Sequence, residues 1–297
     1  MPKDPHWISH SEILTFEEIT RIARITVQLG VEKIRLTGGE PTVRRGLTTL
    51  IKMLKNIDGL KDISLTTNGM LLKDLSEELW NAGLRRINVS LDTLNGEKFI
   101  HIARIDAFER VIAGLNEAER VGFSPIKVNM VVIRGFNEDE ILEFASLART
   151  KPYHIRFIEF MPLDGDDFWS RDKVVTGAEI IEKISTIGGL IPKDTDPHSP
   201  AKMYKFVDGI GDIGIIASVS EPFCMQCDRI RLTADGKFRN CLFATSETDI
   251  KDIMRNGGSD DDIADAITKS VREKWEGHLI NSPYFKKPER AMYAIGG

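Results

Sequence analysis

The chain has 297 residues, 41% of them hydrophobic and 29% charged, with a formal net charge of −5 at pH 7. This length buries a full hydrophobic core, as one large domain or two smaller ones, and the composition is that of a soluble globular protein. The negative charge argues against a general nucleic-acid-binding protein, because no basic excess is present to neutralise phosphates. No apolar run approaches membrane-spanning length, and the start of the chain lacks the apolar core of a signal peptide. Three cysteines do not suggest a disulfide framework, so we expect a cytoplasmic protein. From the charge and the lack of a long apolar run, we also expect no contact with nucleic acid or membrane.

The first half of the chain predicts strands and helices in regular alternation. Thr15 is expected to cap a helix that ends near Gly30. Strands are expected at 33–37, 62–67, 86–91, 126–133 and 154–160. Helices are expected between them at about 46–56, 72–82, 96–102, 108–121 and 138–149. This alternation predicts an α/β fold with a parallel sheet. Its regularity favours a partial TIM-type βα barrel, and an open doubly wound sheet is the alternative.

The alternation is expected to stop after Phe160, and the second half of the chain predicts a smaller α+β domain. Its predicted helices and strands lie at 177–185, 202–207, 213–217, 249–255 and 260–274. We therefore expect a βα barrel over residues 1–163 and a C-terminal domain over residues 164–297 that carries a three-cysteine metal site.

All the cysteines lie in this second half, in one short segment. Cys224 and Cys227 are three residues apart, and Cys241 returns after a predicted β-hairpin with its turn at Asp235-Gly236. With that turn, residue 241 pairs at about the level of residue 230, which returns Cys241 towards the other two thiols. Three converging thiolates describe a metal site with one coordination position not filled by cysteine.

Spacing alone does not distinguish a zinc site from an iron–sulfur cluster. A structural zinc site would take a fourth, non-cysteine ligand, and His198 or Asp228 could provide it. On the chemistry of the thiols alone, the two alternatives are balanced.

Ionisable and polar residues occupy unusual places in the predicted sheet. Four cations lie in strands that should be buried on both faces: Lys33, Arg35, Lys127 and Arg156. An unpaired buried cation costs several kcal/mol, so each must reach water, a carboxylate or an anionic ligand. One interpretation is a ring of internal salt bridges with residues such as Glu40 and Glu159. The other is a pocket for a polyphosphate or another dense anion, which Arg229 and Arg231 would join.

These residues together resemble one family, the radical S-adenosylmethionine GTP 3′,8-cyclases of molybdenum-cofactor biosynthesis. The matching stretches are 33–41, 65–69, 86–92, 127–129, 156–161, 223–227, 229–231, 241–243 and the terminal Gly296-Gly297. They follow the order of the family through the whole chain, and the match is specific to this family rather than to radical enzymes at large. The resemblance implies conversion of GTP with S-adenosylmethionine to 3′,8-cyclo-7,8-dihydro-GTP, the first step of molybdenum-cofactor biosynthesis.

The resemblance also implies a role for individual residues. A 4Fe-4S cluster would be held by Cys224, Cys227 and Cys241, with an open iron that binds the guanine of GTP. Contacts to GTP are implied at Lys33, Arg35, Thr66, Lys127, Arg156, Arg229, Ile230 and Arg231. Contacts to S-adenosylmethionine are implied at Gly39, Glu40, Ser90 and Met161. Catalytic roles are implied for Arg229, Arg231 and a Gly296-Gly297 tail that enters the active site.

The family reaction begins with reductive cleavage of S-adenosylmethionine at a second, N-terminal 4Fe-4S cluster. The adenosyl radical then takes a hydrogen from the ribose 3′ position of GTP, and that carbon attacks guanine C8. The resemblance therefore implies an electron donor and, downstream, a cyclic pyranopterin monophosphate synthase as functional partners. It also allows a homodimer.

One departure from the family concerns this second cluster. Its Cys-x3-Cys-x2-Cys loop is expected near the N-terminus, but no cysteine precedes Cys224. In the family, Met-Pro follows the third cysteine of that loop, and this chain begins Met1-Pro2. We therefore expect that truncation or a misplaced start has removed the first barrel strand with the cluster loop, and that the chain cannot cleave S-adenosylmethionine. A non-catalytic GTP- or metal-binding remnant is the alternative; a peptide-modifying radical enzyme is disfavoured by Arg229 and Arg231.

Overall fold

The fold is that of a computed structural model, which describes residues 8–163 and 168–296. Two expectations from the sequence fall outside these ranges, the catalytic role of Gly297 and the interpretation of Met1-Pro2. No helix in the described ranges is long and apolar enough to cross a membrane.

Strands and helices alternate through the first half of the described chain, as expected. The strands are β1 Lys33–Leu36, β2 Asp62–Thr67, β3 Arg86–Ser90, β4 Ile126–Val132, β5 Tyr153–Glu159, β6 Leu190–Lys193, β7 Lys202–Phe206, β8 Asp212–Ile216, β9 Arg231–Leu232, β10 Lys237–Arg239 and β11 Thr248–Asp249. The α-helices are α1 Phe16–Gln28, α2 Leu47–Lys55, α3 Leu72–Asn81, α4 Gly96–Ala103, α5 Phe108–Val121, α6 Ile141–Thr150, α7 Gly177–Ser185, α8 Ile250–Arg255, α9 Asp260–Arg272 and α10 Met292–Ile295. The expected helix from residue 138 begins instead with a 3-10 turn, Glu138–Glu140.

Helix α1 begins where the sequence predicts and links two parts of the molecule. The Thr15 hydroxyl accepts a bond from the Glu18 amide at 3.1 Å, and the Glu18 carboxylate accepts one from the Thr15 amide at 2.8 Å. Ala23 of α1 packs with apolar residues of α2. Ile22 and Ile25 pack instead with apolar residues of β10, α8 and α9. Helix α1 therefore holds the cysteine-bearing region against the rest of the fold.

Eight strands form one mostly parallel sheet in the order β1-β2-β3-β4-β5-β8-β7-β6. The strands from β1 to β5 and then β8 are parallel to their neighbours, and β7 and β6 are antiparallel. A doubly wound sheet reverses its strand order at a switch point, whereas these parallel strands follow chain order without a reversal. The doubly wound alternative therefore does not fit the observed order.

The sheet continues past the domain boundary expected at residue 163. From β5 the chain passes through α7, β6 and β7 before it reaches β8, which pairs directly with β5. Strands β7 and β8 belong to the main sheet, and Ile213 and Ile215 of β8 share one buried core with Phe157 of β5. Among the strands of the described residues, only β9, β10 and β11, which carry the cysteine hairpin, form a separate sheet.

The two faces of the main sheet differ in polarity. In β4 the buried residues are Ile126, Val128, Met130 and Val132, and the alternate positions are partly accessible. The buried face packs against α3, α5 and α6, so that the core lies between the sheet and these helices. The opposite face, called the polar face below, carries the side chains at Lys127 and Asn129.

Candidate functional site

The register of the parallel strands brings polar residues together on the polar face. Residues two apart on a strand share a face, and residues in register on neighbouring strands lie side by side. One row contains Arg35, Ser64 and Arg86; the next contains Thr66, Asn88, Lys127 and His154; a third contains Ser90, Asn129 and Arg156. Three of the cations expected from the sequence, Arg35, Lys127 and Arg156, thus lie on one surface of the sheet, on β1, β4 and β5.

Six cations form a cluster between this surface and the cysteine hairpin. The cationic cluster consists of Arg35, Arg86, Lys127, Arg156, Arg229 and Arg231. Burial lowers the pKa of Lys127 to about 8, and the charges of Arg156 and Arg86 add to this effect. Burial likewise lowers the pKa of Arg156, and Arg35 and Arg229 reinforce it. These cations therefore lie close enough to repel one another.

The cluster has little compensation from carboxylates. Among the residues that the structure describes, only Arg86 of the cluster forms an ion pair, with Asp62. In the same ranges, the buried Nε atoms of Arg86, Arg156 and Arg229 have no hydrogen-bond partner. Arg156 is only 6% exposed. Such a concentration of desolvated positive charge is unfavourable unless an anion neutralises it.

Glu40 does not supply that neutralisation. Its Oε1 accepts bonds from the Thr42 amide at 3.0 Å and the Thr67 hydroxyl at 2.7 Å, and its Oε2 accepts one from the Asn68 amide at 2.6 Å. The carboxylate ties the loop after β1 to the end of β2. A role for Glu40 at S-adenosylmethionine stays a prediction.

Glu159 has a similar structural role. Its fully buried carboxylate accepts bonds at 2.7 Å from each of three amides, those of Gly177, Val219 and Ser220. It thereby joins the ends of β5 and β8 to the start of α7. The interpretation of a ring of salt bridges through Glu40 and Glu159 is therefore wrong, because backbone amides and hydroxyl groups engage both carboxylates.

The other residues expected to contact GTP are placed differently. Arg35 is exposed on β1, and the surrounding protein lowers the pKa of its guanidinium. The buried Thr66 hydroxyl accepts a bond from Asn88 Nδ2 at 3.1 Å on the polar face. Lys33 is exposed, and its Nζ lies 3.5 Å from an oxygen of Asp196. The Ile230 side chain is partly buried and packs against the apolar cluster beneath the hairpin.

The residues expected to contact S-adenosylmethionine follow the C-terminal ends of the parallel strands. Gly39 comes shortly after β1, Ser90 is the exposed last residue of β3, and Met161 follows β5. Ligands of parallel α/β sheets bind at this edge. The structure places these residues at the appropriate edge, and contact with the cofactor stays a prediction.

The cysteine hairpin forms with nearly the expected register. Arg239 pairs with Arg231 and Phe238 with Leu232, one residue from the predicted alignment. Gly236 in the turn has φ +82°, in the left-handed region that favours glycine. The hairpin places Arg231 between the polar face and the cysteines.

The three thiols are free and partly buried. Burial raises the pKa of Cys224, and the thiols of Cys241 and Cys227 add to this effect, so the three lie within electrostatic reach of one another. At Cys227 burial acts in the same direction, but nearby positive charges outweigh it and lower the pKa. The Cys227 sulfur lies 3.5 Å from Arg229 Nη2 and 3.8 Å from Lys274 Nζ. Cationic donors thus favour the thiolate form that binds iron or zinc.

Across the described residues, no group of three or more His, Cys, Asp and Glu side chains is arranged to hold a metal ion. The zinc site completed by His198 or Asp228 stays a prediction. The Nδ1 of His198 lies 2.8 Å from the carbonyl oxygen of Gln226. A cluster held by the three cysteines stays a prediction.

The end of the described chain reaches both the hairpin and the main sheet. The carbonyl oxygen of Gly296 accepts a bond from Arg231 Nε at 3.3 Å. Gly296 has φ +77°, and a Cβ there would lie 3.0 Å from Thr37, next to the end of β1. The structure therefore places Gly296 between the cationic cluster and the C-terminal edge of the sheet.

Two residues of this region were missed as site candidates. Arg86 belongs to the cationic cluster. The signal that could have found it is that Arg86, Asn88 and Ser90 alternate along β3 and therefore share one face of the sheet. Burial raises the pKa of Asp92 to about 6, although the hydrogen bond that its carboxylate accepts from the Val131 amide at 2.8 Å acts to lower it. Asp92 therefore titrates close to neutral pH at the C-terminal edge of the sheet.

Comparison with known proteins adds two kinds of finding. The family model described as "Radical SAM superfamily" matches residues 3–148, and that described as "Molybdenum Cofactor Synthesis C" matches residues 153–280. Similar curated proteins carry the name GTP 3′,8-cyclase. The one from Rhodopirellula baltica is 48% identical over 100% of this chain and 84% of its own length. Those from Thermodesulfovibrio yellowstonii and Alkaliphilus oremlandii are 44% and 42% identical, over 98% and 97% of this chain and 89% and 88% of their own lengths.

Proposed function

Because the chain belongs to the GTP 3′,8-cyclase family of radical S-adenosylmethionine enzymes in molybdenum-cofactor biosynthesis, we propose that its polar face binds GTP for conversion to 3′,8-cyclo-7,8-dihydro-GTP. The observation that carries this proposal is the cationic cluster. Five of its six members form no ion pair within the described residues, and burial lowers the pKa values of Lys127 and Arg156.

A triphosphate suits this cluster in charge and in geometry. Guanidinium groups bind phosphate oxygens through two parallel N–H bonds, and a lysine adds a point charge. Arg156 and Arg229 each keep a buried Nε without a partner in the described chain, so they can donate without breaking an existing bond at that atom. Of the remaining expected contacts, Arg35 and Arg231 belong to the cationic cluster, and Thr66 lies in the same row of the polar face as Lys127. Contacts of Lys33 and Ile230 with GTP stay predictions.

We propose further that the thiols of Cys224, Cys227 and Cys241 hold a 4Fe-4S cluster beside this site. Their mutual influence on pKa and the cations next to Cys227 support a thiolate donor set. Such a cluster, when bound, supplies an iron without a cysteine ligand for the purine of GTP. Arg231, which lies within electrostatic reach of Cys241 and Cys227 and donates to Gly296, would then lie beside the bound cluster.

S-adenosylmethionine is assigned to the C-terminal edge of the sheet, near Gly39, Glu40, Ser90 and Met161. The chain's three cysteines all lie between residues 224 and 241, so none is left to ligate a second cluster. The residues present thus do not fit the cluster that reduces S-adenosylmethionine. We propose that these 297 residues do not cleave this cofactor by themselves. Within residues 8–163 and 168–296 no strand pairs with the outer edges of β1 and β6, which supports an incomplete barrel.

The GTP site is tested by calorimetric titration with GTP. Arg156→Met should weaken binding roughly tenfold or more, because a charge-assisted hydrogen bond contributes about 1.5–3 kcal/mol. Lys52→Met, which removes an exposed cation on α2, is the matched control and should bind as the unaltered chain does. Equal affinities for all three proteins would refute a GTP site in the cluster.

The cysteine count favours a second candidate function, a GTP- and metal-binding protein without catalysis. Anaerobic reconstitution with iron and sulfide should give about four irons per chain, from one 4Fe-4S cluster. A Cys241→Ser variant should lose most of this iron. Formation of 5′-deoxyadenosine by the reconstituted chain would contradict our proposal that it cannot cleave S-adenosylmethionine.

We propose a reducing compartment, the cytoplasm, because the three thiols are free and iron–sulfur chemistry needs reduced cysteines. An electron donor and a downstream cyclic pyranopterin monophosphate synthase are the partners that the family reaction requires. The homodimer stays a prediction.

A further inference from the structure

An ion-pair network joins Arg290, near the end of the chain, to Asp235 in the turn of the cysteine hairpin. Arg290 donates two bonds to the Asp235 carboxylate, from Nη1 at 3.0 Å and from Nη2 at 2.8 Å. Its Nε lies 3.1 Å from Glu247 Oε1. Only 26% of the Arg290 side chain and 13% of the Asp235 side chain are exposed. A two-bond, largely buried pair fixes both position and direction, unlike a single surface ion pair.

The same network extends to the loop of Cys241. Glu247 Oε1 also pairs with Nη1 of Arg239, a residue only 3% exposed. The Nη2 of Arg239 donates to the carbonyl oxygens of Leu242, at 3.3 Å, and of Ala244. Without Glu247 this buried guanidinium would lose its counter-charge. One carboxylate thus links the loop of Cys241 with the start of the final segment.

Beyond Arg290, the tail segment, defined as residues 291–296, is held at three points. The Met292 amide donates to the Leu163 carbonyl oxygen at 3.0 Å. Ile295 is 1% exposed in an apolar cluster with Leu163 and Phe243. The Gly296 carbonyl oxygen accepts the bond from Arg231 described above. Because only five residues lie between Arg290 and Gly296, the position of Arg290 limits how far Gly296 can reach.

We propose that the network of Arg239, Glu247, Asp235 and Arg290 is a clasp that sets the position of the tail segment against the cysteine hairpin. Arg290 is then a positioning residue, which delivers Gly296 to Arg231 without itself touching the substrate. The apolar contact of Ile295 holds the tail down but lacks direction, since hydrophobic packing is non-directional. The two parallel bonds between Arg290 and Asp235 provide the direction. The relevance of the clasp to catalysis rests on the proposed GTP site.

Amide hydrogen exchange of the protein without ligand tests the clasp independently of catalysis. Arg290→Met removes the charge and all three bonds and keeps an apolar stem. It should make the amides of residues 292–296 exchange roughly tenfold faster, because the tail then opens more often. Lys286→Met, which removes an exposed charge four residues before Arg290, should leave this exchange unchanged. Unchanged tail exchange in Arg290→Met would overturn the clasp.

A second variant separates positioning from general stability. Asp235→Asn keeps a side chain that suits the turn but removes the carboxylate from the pair. It should speed tail exchange as Arg290→Met does, and the double variant should be no faster than either single one. In all three the amides of β9 and β10 should keep their protection. Additive effects, or loss of protection throughout β9 and β10, would overturn a positioning role.

GTP binding distinguishes failure of this inference from failure of the proposed function. Arg290→Met should bind GTP with an affinity within about twofold of the unaltered protein, because Arg290 lies outside the cationic cluster. If the unaltered protein bound no GTP, the proposed function would be refuted. The exchange rates of the tail amides would still test whether the clasp positions the tail segment.

Discussion

Lys127 shows how the surroundings of one residue decide its charge. It lies on the polar face in register with Asn88 and His154, and burial with neighbouring cations lowers its pKa to about 8. Below this pH it is protonated in both the folded and the unfolded chain. As pH rises from about 8 towards roughly 10.4, the unfolded chain binds more protons, so the ligand-free fold should gain stability.

The same pKa predicts a pH-dependent affinity for GTP. The triphosphate favours the protonated lysine, so binding should weaken as pH rises from 7.5 to 9.5, by at most about tenfold per pH unit. Calorimetric titrations at several pH values measure this, with Lys127→Met as the variant and the exposed Lys52→Met as the control. Lys127→Met should bind more weakly at pH 7.5 and show a flatter profile. An unaltered slope in this variant would show that Lys127 is not the titrating group.

Glu159 shows the opposite situation, a buried charge that the fold satisfies completely. Glu159→Gln would replace an acceptor oxygen by an NH₂ group that faces backbone amide donors. We expect a loss of about 2–4 kcal/mol in the free energy of unfolding, measured in urea. Glu182→Gln on the exposed side of α7 should change it by less than about 0.5 kcal/mol. A small effect at Glu159 would contradict its role in joining β5, α7 and β8.

At the scale of elements, the cysteine hairpin depends on its turn and on the helix beneath it. Gly236 has φ +82°, and a Cβ there would overlap the Cβ of Lys251 in α8. Gly257 has φ +88° but no atom within 4 Å of the corresponding position, which makes it a matched control. Gly257→Ala should cost about 1–2 kcal/mol from the backbone alone. Gly236→Ala should cost at least about 1 kcal/mol more in urea unfolding, and lower iron uptake as the hairpin shifts.

Equal costs at the two glycines would mean that the hairpin does not rest on α8 as the structure has it. Retained iron uptake in a destabilised Gly236→Ala protein would separate the stability of the hairpin from its metal site.

At the scale of the whole molecule, the main sheet crosses the boundary expected at residue 163. Because β8 pairs with β5, and α1 contacts both α2 and the α8–α9 region, the chain should unfold in one calorimetric transition. Ile213→Ala in β8 should lower the free energy of unfolding by about 2–4 kcal/mol. It should speed global exchange of amides in β2 and β3 as much as in β8. Two transitions, or an effect confined to residues after 163, would favour independent domains.

Much of the local structure follows from the sequence alone. The cap at Thr15, the stop at Gly30, the turn at Asp235-Gly236 and the alternation of apolar patterns predict most element bounds within one or two residues. Helix α6 begins three residues after its expected start, and β6, β11 and α10 were not predicted. These signals act between neighbours in the chain, through caps, backbone conformation and periodicity. The sequence also predicts a mostly parallel α/β sheet, and its motifs indicate the family before any contact is known.

Only the tertiary structure decides which distant residues become partners. It inserts β8 beside β5, adds Arg86 to the cationic cluster, and engages Glu40 and Glu159 in hydrogen bonds rather than salt bridges. It also joins Arg290 to the turn of the cysteine hairpin, so that Gly296 lies beside Arg231. Local pattern states that a residue is buried or polar. The identity of its partner depends on how segments far apart in the chain pack. That packing determines whether a charged side chain is paired within the fold, as Glu159 is, or is left to bind a ligand, as we propose for the cationic cluster.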